Sequence, residues 1–68
     1  MVNKVKEYRD RASMTQMELA VAADLSMATI LRAEKTGFIG TKTRKKLARA
    51  FSVPIAELFP KTHTETGN

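Results

Sequence analysis

The chain has 68 residues, a formal net charge of +5 and no cysteine. A chain this short holds a single domain, and without disulfides or thiolate metal sites its stability has to come from packing alone. Its start is charged, and it has no apolar run near the roughly 20 residues needed to cross a bilayer, so neither a secretion signal nor a membrane span is predicted. We therefore expect a soluble cytoplasmic protein.

The positive charge is concentrated in the second half of the chain. Residues 32–49 carry +6, with Glu34 as the only acid, whereas residues 14–31 carry −2. Residues 1–13 carry +2, and residues 50–68 carry −1. Such a concentration favours a polyanionic partner, and a merely solvated basic surface is the alternative interpretation.

The apolar residues recur with a period of about 3.6 residues from Val2 to Phe59, and no alternating run is long enough for a strand. This pattern predicts an all-α chain. The first helix is expected over residues 3–12, with Val5, Tyr8 and Ala12 facing inward and the charged residues between them in water.

Two hydroxyl residues predict the starts of the second and third helices. Thr15 and Glu18 match a capping box, which predicts a helix over Gln16–Ala23. Ser26 is the next N-cap, before a helix over Met27–Lys35 that ends ahead of a glycine. The apolar positions expected to face the core are Leu19, Ala20, Ala23, Leu25, Ile30 and Ala33.

A fourth helix is predicted over Thr41–Phe51, and a short fifth helix over residues 54–59, where a proline suits the first turn. Leu47, Ala50 and Phe51 are the expected inward positions of the fourth helix. In the loop before it, Phe38 and Ile39 are too apolar for full solvation and are expected to lie under the core. Residues 1–60 are predicted to form one domain, and residues 61–68 a disordered polar tail.

The predicted second and third helices are joined by a very short turn. Helices so connected cannot lie antiparallel and are expected to cross steeply, which requires a small residue at the closest approach. Ala20 is suited to that position. Two ordinary amphipathic helices in a bundle are the alternative, but they explain the apolar spacing without explaining the combination of caps, turn length and small residue.

The segments YRDRASMTQMELAVAADLSMATILRAEK and TRKKLARAFSVPIAELF resemble the helix-turn-helix domain of the Cro and lambda-repressor type, the XRE family. The resemblance covers residues 3–59. Its most specific parts are TQMELA, KLARAFSVPIAELF, and a third-helix pattern of Ser26, Thr29, Ile30, Arg32 and Glu34. It implies a compact five-helix lambda-repressor-like domain that binds double-stranded DNA. The implied function is a sequence-specific transcriptional regulator, a small repressor that occupies a pseudo-palindromic operator as a homodimer.

Three positions depart from the family pattern. Asp24 and Ser52 stand at turns where the family often has glycine; aspartate, at least, is among the few other residues that visit left-handed geometry. Met27 stands where many relatives have a glutamine that contacts adenine, so the operator sequence of better-known members is not expected here.

The resemblance implies that the third helix enters the major groove. Since Ile30 and Ala33 face inward, the residues expected to read base edges are Met27, Ala28, Leu31 and Arg32. The apolar ones are expected to contact thymine methyl groups, and Arg32 to donate two hydrogen bonds to a guanine. As alternatives, Leu31 packs against a partner subunit or Phe38, and Met27 is a surface methionine without a role.

Phosphate contacts are expected from the start of the second helix, the third helix, the loop after it and the start of the fourth helix. The residues assigned to this role are Thr15, Gln16, Thr29, Lys35, Thr41, Lys42, Thr43 and Arg44. The remaining cations of the fourth helix, Lys45, Lys46 and Arg49, are interpreted as ordinary solvated charges.

The resemblance also implies two structural contacts. Arg9 and Glu34 are expected to form an ion pair that joins the first and third helices. Because a single small module buries little surface on DNA, a homodimer is expected, with Ile55, Leu58 and Phe59 at its interface.

Other functions were weighed against DNA binding. The only histidine, His63, lies in the predicted tail, and no catalytic cluster or phosphate loop is present, so no enzymatic activity is expected. The sequence indicates no cofactor, metal or small-molecule effector, and a membrane-surface role is disfavoured because the apolar faces are needed for the core. A protein-interaction adaptor or antitoxin-like partner is the stronger alternative, although it would not need the concentrated positive charge.

Overall fold

A computed structural model describes residues 4–37 and 39–60. Five helices follow one another over these residues, which confirms the all-α prediction: α1 (Val5–Arg11), α2 (Gln16–Ala23), α3 (Met27–Lys35), α4 (Thr41–Phe51) and α5 (Ile55–Leu58). Phe38 and the predicted tail lie outside the described residues. None of the described helices has the length and apolarity that a bilayer crossing requires.

The helix starts confirm the capping analysis. The Thr15 hydroxyl accepts from the backbone N–H of Glu18, and the Glu18 carboxylate accepts from the backbone N–H of Thr15, completing the capping box. The Ser26 hydroxyl accepts from the backbone N–H of Thr29. Because these bonds satisfy groups that a helix start leaves unpaired, α2 and α3 begin at the predicted residues.

Three chain reversals share one geometry. Ser13, Asp24 and Ser52 adopt left-handed backbone angles, with φ values of 56°, 59° and 57°. In each case the next residue is apolar and donates its N–H to a carbonyl five residues earlier, as Leu25 does to Ala20. This is a Schellman end without its usual glycine, so the predicted departures at Asp24 and Ser52 leave the turns intact.

The core lies where α2 packs against α3 and α4, with α1 contacting α3 and α5 contacting α4. It consists of Val5, Leu19, Ala20, Ala23, Ile30, Ala33, Leu47, Ala48 and Leu58. Partly buried residues pack around it, among them Ile39, which confirms its predicted position under the core. The N–H of Lys4 donates to the carbonyl of Leu58 at 2.9 Å and ties the start of α1 to α5.

Several inward assignments need correction. Ala12 is exposed, because α1 ends at Arg11 and the left-handed turn at Ser13 takes the chain off the helical path. In α4 the second fully packed residue is Ala48, which was not predicted, while Ala50 and Phe51, which were predicted inward, are half-buried and pack against the core. Leu58 was predicted at a dimer interface, but it is 0% exposed and belongs to the core of its own chain.

Candidate nucleic-acid interface

The α2–α3 pair is held together by one buried carboxylate. Arg9 donates to both oxygens of Glu34, from Nε at 2.7 Å and from Nη2 at 3.2 Å, which confirms the predicted ion pair. The Arg9 Nη1 donates to the carbonyl of Met14 at 2.9 Å. The Glu34 side chain is 7% exposed. A single cluster therefore joins α1, the loop before α2, and α3.

Gln16 is a further member of this cluster that the sequence did not reveal. Its Nε2 donates to the Glu34 Oε1 at 3.1 Å, across the start of α2 and the end of α3. A primary amide carries two N–H donors, so one remains for another acceptor. Gln16, assigned above as a phosphate ligand, is thus held in place by the same carboxylate that holds Arg9.

The hydrogen bond to Glu34 raises the pKa of Arg9 above its ordinary value, while burial acts in the opposite direction. A raised pKa means that the contribution of the protonated arginine to stability is fully present below the ordinary arginine value. That contribution is lost only as the pH rises through the raised pKa in strong alkali. Arg9 therefore stays protonated over the neutral pH range, and its ionisation adds no pH dependence to the stability of the cluster there.

The outer side of α3 presents the residues assigned to base reading. Ile30 and Ala33 are buried, whereas Ala28 and Arg32 are exposed and Leu31 is 47% exposed. Met27 differs from the expectation, because it is half-buried and packs against the core, so only part of its side chain faces outward. Ala28, Leu31 and Arg32 therefore remain accessible to a ligand on one side of α3. Two of these residues are apolar and one is cationic.

The residues of α3 and α4 that were assigned to phosphate contacts fall into two groups. Lys35, Thr41 and Lys42 are exposed, and no acidic residue lies in the first turn of α4. Gly40 precedes that helix without a side-chain cap, so the first turn offers its N–H groups together with positive charge. This end of α4 suits a phosphate better than the start of α2, where the side chains of Thr15 and Glu18 each accept a hydrogen bond from the other residue's backbone N–H.

The other group is already engaged within the chain. The Thr29 hydroxyl lies 2.9 Å from that of Ser26, and Thr43 is half-buried. The Arg44 guanidinium lies over the Phe59 ring, 5.2 Å from its centroid, and its Nε is buried without a hydrogen-bond partner in the described part of the chain. Arg44 would have to leave this ring to reach a phosphate.

The charge distribution separates the two helices. Residues 12–31, which include all of α2 and most of α3, contain no lysine or arginine. Cations resume at Arg32 and continue through Lys35 into α4. Positive charge therefore lies beyond the apolar reading positions, toward the end of α3 and the start of α4.

The described residues contain no cluster of three or more histidine, cysteine, aspartate or glutamate side chains that could hold a metal ion. No protein-family model matches this chain, and a comparison with curated proteins found no match. The geometry of the site therefore carries the functional argument.

Proposed function

We propose that the protein is a sequence-specific double-stranded DNA-binding regulator of the Cro and lambda-repressor type, acting as a homodimer on a pseudo-palindromic site. One observation carries the proposal: α3 seals Ile30 and Ala33 into the core while it exposes Ala28, Leu31 and Arg32 together. Solvent gives no reason for apolar residues there, whereas a major groove provides thymine methyl groups for them and guanine acceptors for an arginine.

The positive end of the molecule supports the same proposal. A groove-bound α3 brings the strands near its end and near the start of α4, where Lys35, Lys42 and the uncapped N–H groups lie. Such contacts supply affinity and register, while base contacts supply the preference for sequence. The Arg9–Glu34–Gln16 cluster fixes α3 relative to α2, which a rigid reading helix requires.

A protein-interaction adaptor or antitoxin-like partner is the second candidate. It is favoured by the exposed Met17 and Val21 on α2, which DNA binding does not explain. The two candidates differ in one simple observation, because an adaptor would bind no duplex even at low ionic strength.

The proposal is tested by selecting bound duplexes from a random pool and then measuring the affinity of variants for the selected site. Arg32→Ala should lose about 1–3 kcal/mol of discrimination at one base pair. Gln16→Ala should weaken binding to all duplexes alike, because a phosphate contact carries no sequence information.

Lys6→Ala is the matched control, since Lys6 is an exposed cation on α1 outside the proposed interface. It removes one positive charge and should leave the base preference unchanged. If the protein binds no duplex at low ionic strength, or if Arg32→Ala retains every base preference of the parent, the proposal is wrong.

A further inference from the structure

The outer side of α4 carries a row of positive charge. Its members recur at intervals of three or four residues and comprise Lys42, Lys45, Lys46 and Arg49. Since each residue turns the helix by about 100°, the four side chains start within about 100° of its circumference. The opposite side holds Leu47 and Ala48, which are buried in the core. We call these four cations the α4 cation row.

The α4 cation row has little compensating charge nearby. The helix itself contains no acidic residue. Like charges four residues apart, such as those of Lys45 and Arg49, destabilise a helix. Among the described residues, the row makes one acidic contact, between Lys46 and Asp24 at 3.5 Å, and the Asp24 side chain is 95% exposed. Positive charge gathered on one side of a helix without local acids suits an anionic partner.

A pocket lies beside two members of the row, between the end of α2 and the second half of α4. It has a volume of about 260 Å³ and is lined by Ala22, Ala23, Asp24, Lys46, Arg49 and Ala50. The three alanines make part of its wall apolar, and the two cations make another part positive. Since a cavity of about 150 Å³ holds benzene, the pocket has room for one side chain the size of leucine.

The two cations of the pocket are available to a partner. The Lys46 ammonium contacts the Asp24 carbonyl at 3.3 Å and the Asp24 carboxylate at 3.5 Å, both long for hydrogen bonds and close to solvent. Arg49 is exposed and makes no ion pair with a described residue. An external carboxylate therefore finds one unpaired cation and one that is weakly held.

The apolar part of the pocket distinguishes between anionic partners. The backbone of a duplex presents phosphates and sugars, which offer no apolar side chain to the alanines. A small inorganic anion would contact only part of a row that extends about 10 Å from Lys42 to Arg49. An acidic peptide has both kinds of group, because it carries carboxylates and aliphatic side chains on one chain.

We propose that the α4 cation row and the adjoining pocket bind an acidic segment of a partner protein. One aliphatic side chain of that segment lies among the pocket alanines, and its carboxylates contact Arg49, Lys46 and Lys45. An extended chain advances about 3.3 Å per residue, so carboxylates three residues apart match the length of the row. The aliphatic residue is next to the carboxylate that contacts Arg49, because Arg49 lines the pocket and Lys42 does not.

The inference goes beyond DNA binding and does not depend on it. Ala28, Leu31 and Arg32 lie on α3 and take no part in this contact. Lys42 alone belongs to both proposed surfaces, and the variants below leave it unchanged. DNA and the acidic segment thus use different residues, so either proposal can fail while the other holds.

The location of the contact is tested with a short synthetic peptide at low ionic strength. The peptide has two glutamates three residues apart and a leucine next to one of them. In methyl spectra of the protein labelled at alanine, the resonances of Ala22 and Ala50 should shift when the peptide is added. The resonance of Ala28, on the outer side of α3, should stay in place. A duplex should shift Ala28 instead, which tests the proposed function separately.

Variants of the protein test the charges and the pocket. Arg49→Gln and Lys45→Gln should each raise the dissociation constant of the peptide about threefold, whereas Lys6→Gln, at an exposed cation of α1, should leave it unchanged. Ala22→Leu narrows the pocket from an exposed helical position and should raise it about tenfold. Asp24→Asn removes the competing acid, keeps a residue that tolerates the left-handed turn, and should tighten binding. Circular dichroism should show the same helix content in all of them.

A second peptide, with serine in place of leucine, separates pocket binding from attraction by net charge. It should bind the parent about tenfold more weakly than the leucine peptide, and the two should bind Ala22→Leu alike. The inference is overturned if both peptides bind the parent equally, or if neither binds at low ionic strength. It is also overturned if Lys6→Gln weakens binding as much as Arg49→Gln does. If Arg49→Gln weakens duplex binding but not peptide binding, the row belongs to the DNA surface and the inference is likewise wrong.

Discussion

The outer sides of α2 and α3 both expose apolar residues, yet their surroundings differ. On α3, Leu31 lies beside Arg32, and the cations of the following turn and of α4 continue the surface. On α2, Met17 and Val21 lie beside a single acid, with no cation on the helix. The same type of side chain therefore has cationic neighbours on one helix and a single acidic neighbour on the other.

The largest expected effect comes from breaking the cluster that holds these two helices in register. Arg9→Met leaves the buried Glu34 carboxylate without its cation and should lower the free energy of unfolding by about 3–5 kcal/mol. Denaturant unfolding followed by circular dichroism measures the loss.

The double variant Arg9→Met/Glu34→Met is the control for this experiment. It removes both charges and should recover much of the loss, because no unpaired ion is left in the interior. A double variant no more stable than Arg9→Met would show that packing of the arginine, rather than its charge, holds α2 against α3.

A smaller effect distinguishes the ends of the two helices. After α2, Asp24 adopts a φ of 59°, whereas after α3 the positive φ of 71° belongs to Gly37. Asp24→Gly should raise the free energy of unfolding by about 0.5–1 kcal/mol, since glycine enters this region without the cost that a Cβ imposes. Gly37→Ala should lower it by about 1 kcal/mol or more for the same reason.

Ala22→Gly is the control for Asp24→Gly. It introduces glycine in the interior of the same helix and should destabilise the protein by about 1 kcal/mol. The Asp24 carboxylate lies at the surface, and its pair with Lys46 contributes little. If both glycine variants shift the unfolding midpoint in the same direction, the left-handed turn is not a source of strain.

The smallest effect concerns a third region, where two half-buried aromatic residues pack against each other. The Tyr8 ring packs against the Phe51 ring, with the two centroids 5.8 Å apart. The Arg11 guanidinium lies 5.0 Å from the centroid of the Tyr8 ring. The Tyr8 hydroxyl donates to the Glu57 carboxylate at 3.1 Å. Partial removal from water and the bond to Glu57 raise the pKa of Tyr8 above its ordinary 10.0.

Tyr8 is the only tyrosine, so its ultraviolet absorbance reports its ionisation alone. Because its pKa is raised on folding, its contribution to stability is present below the ordinary value and is lost as the pH rises through the raised one. Glu57→Gln should lower the pKa toward the ordinary value. An unchanged titration would show that the hydrogen bond to Glu57 does not form in solution.

Local signals were sufficient for most helix bounds. The predicted spans of α2, α3 and α4 are confirmed. Thr15 and Ser26 set the starts of α2 and α3 by bonds within one turn, and a residue with a positive φ follows the end of each of the three helices. The first and fifth helices were predicted too long: among the described residues, Lys4 and Ala12 lie outside α1, and Pro54 and Phe59 lie outside α5. An apolar period alone does not fix the residue at which such a helix ends.

The site was less predictable, because its decisive contacts join distant parts of the chain. The Arg9–Glu34 pair was expected only through the family resemblance. The bond from Gln16 to Glu34, the cover of Phe59 by Arg44 and the burial of Leu58 had no local signal. Each depends on how one helix packs against another, which no pattern within a single helix records.

The sequence by itself determined most helix bounds, the caps of α2 and α3 and the concentration of positive charge in residues 32–49, because these are features of short stretches of the chain. Only the tertiary structure decided which apolar residues lie in the core and which face out. Val21 and Leu19 have similar apolarity and lie on the same helix, yet one is 76% exposed and the other is buried completely. Their difference arises from the positions of α3 and α4, which cover one side of α2 and leave the other free.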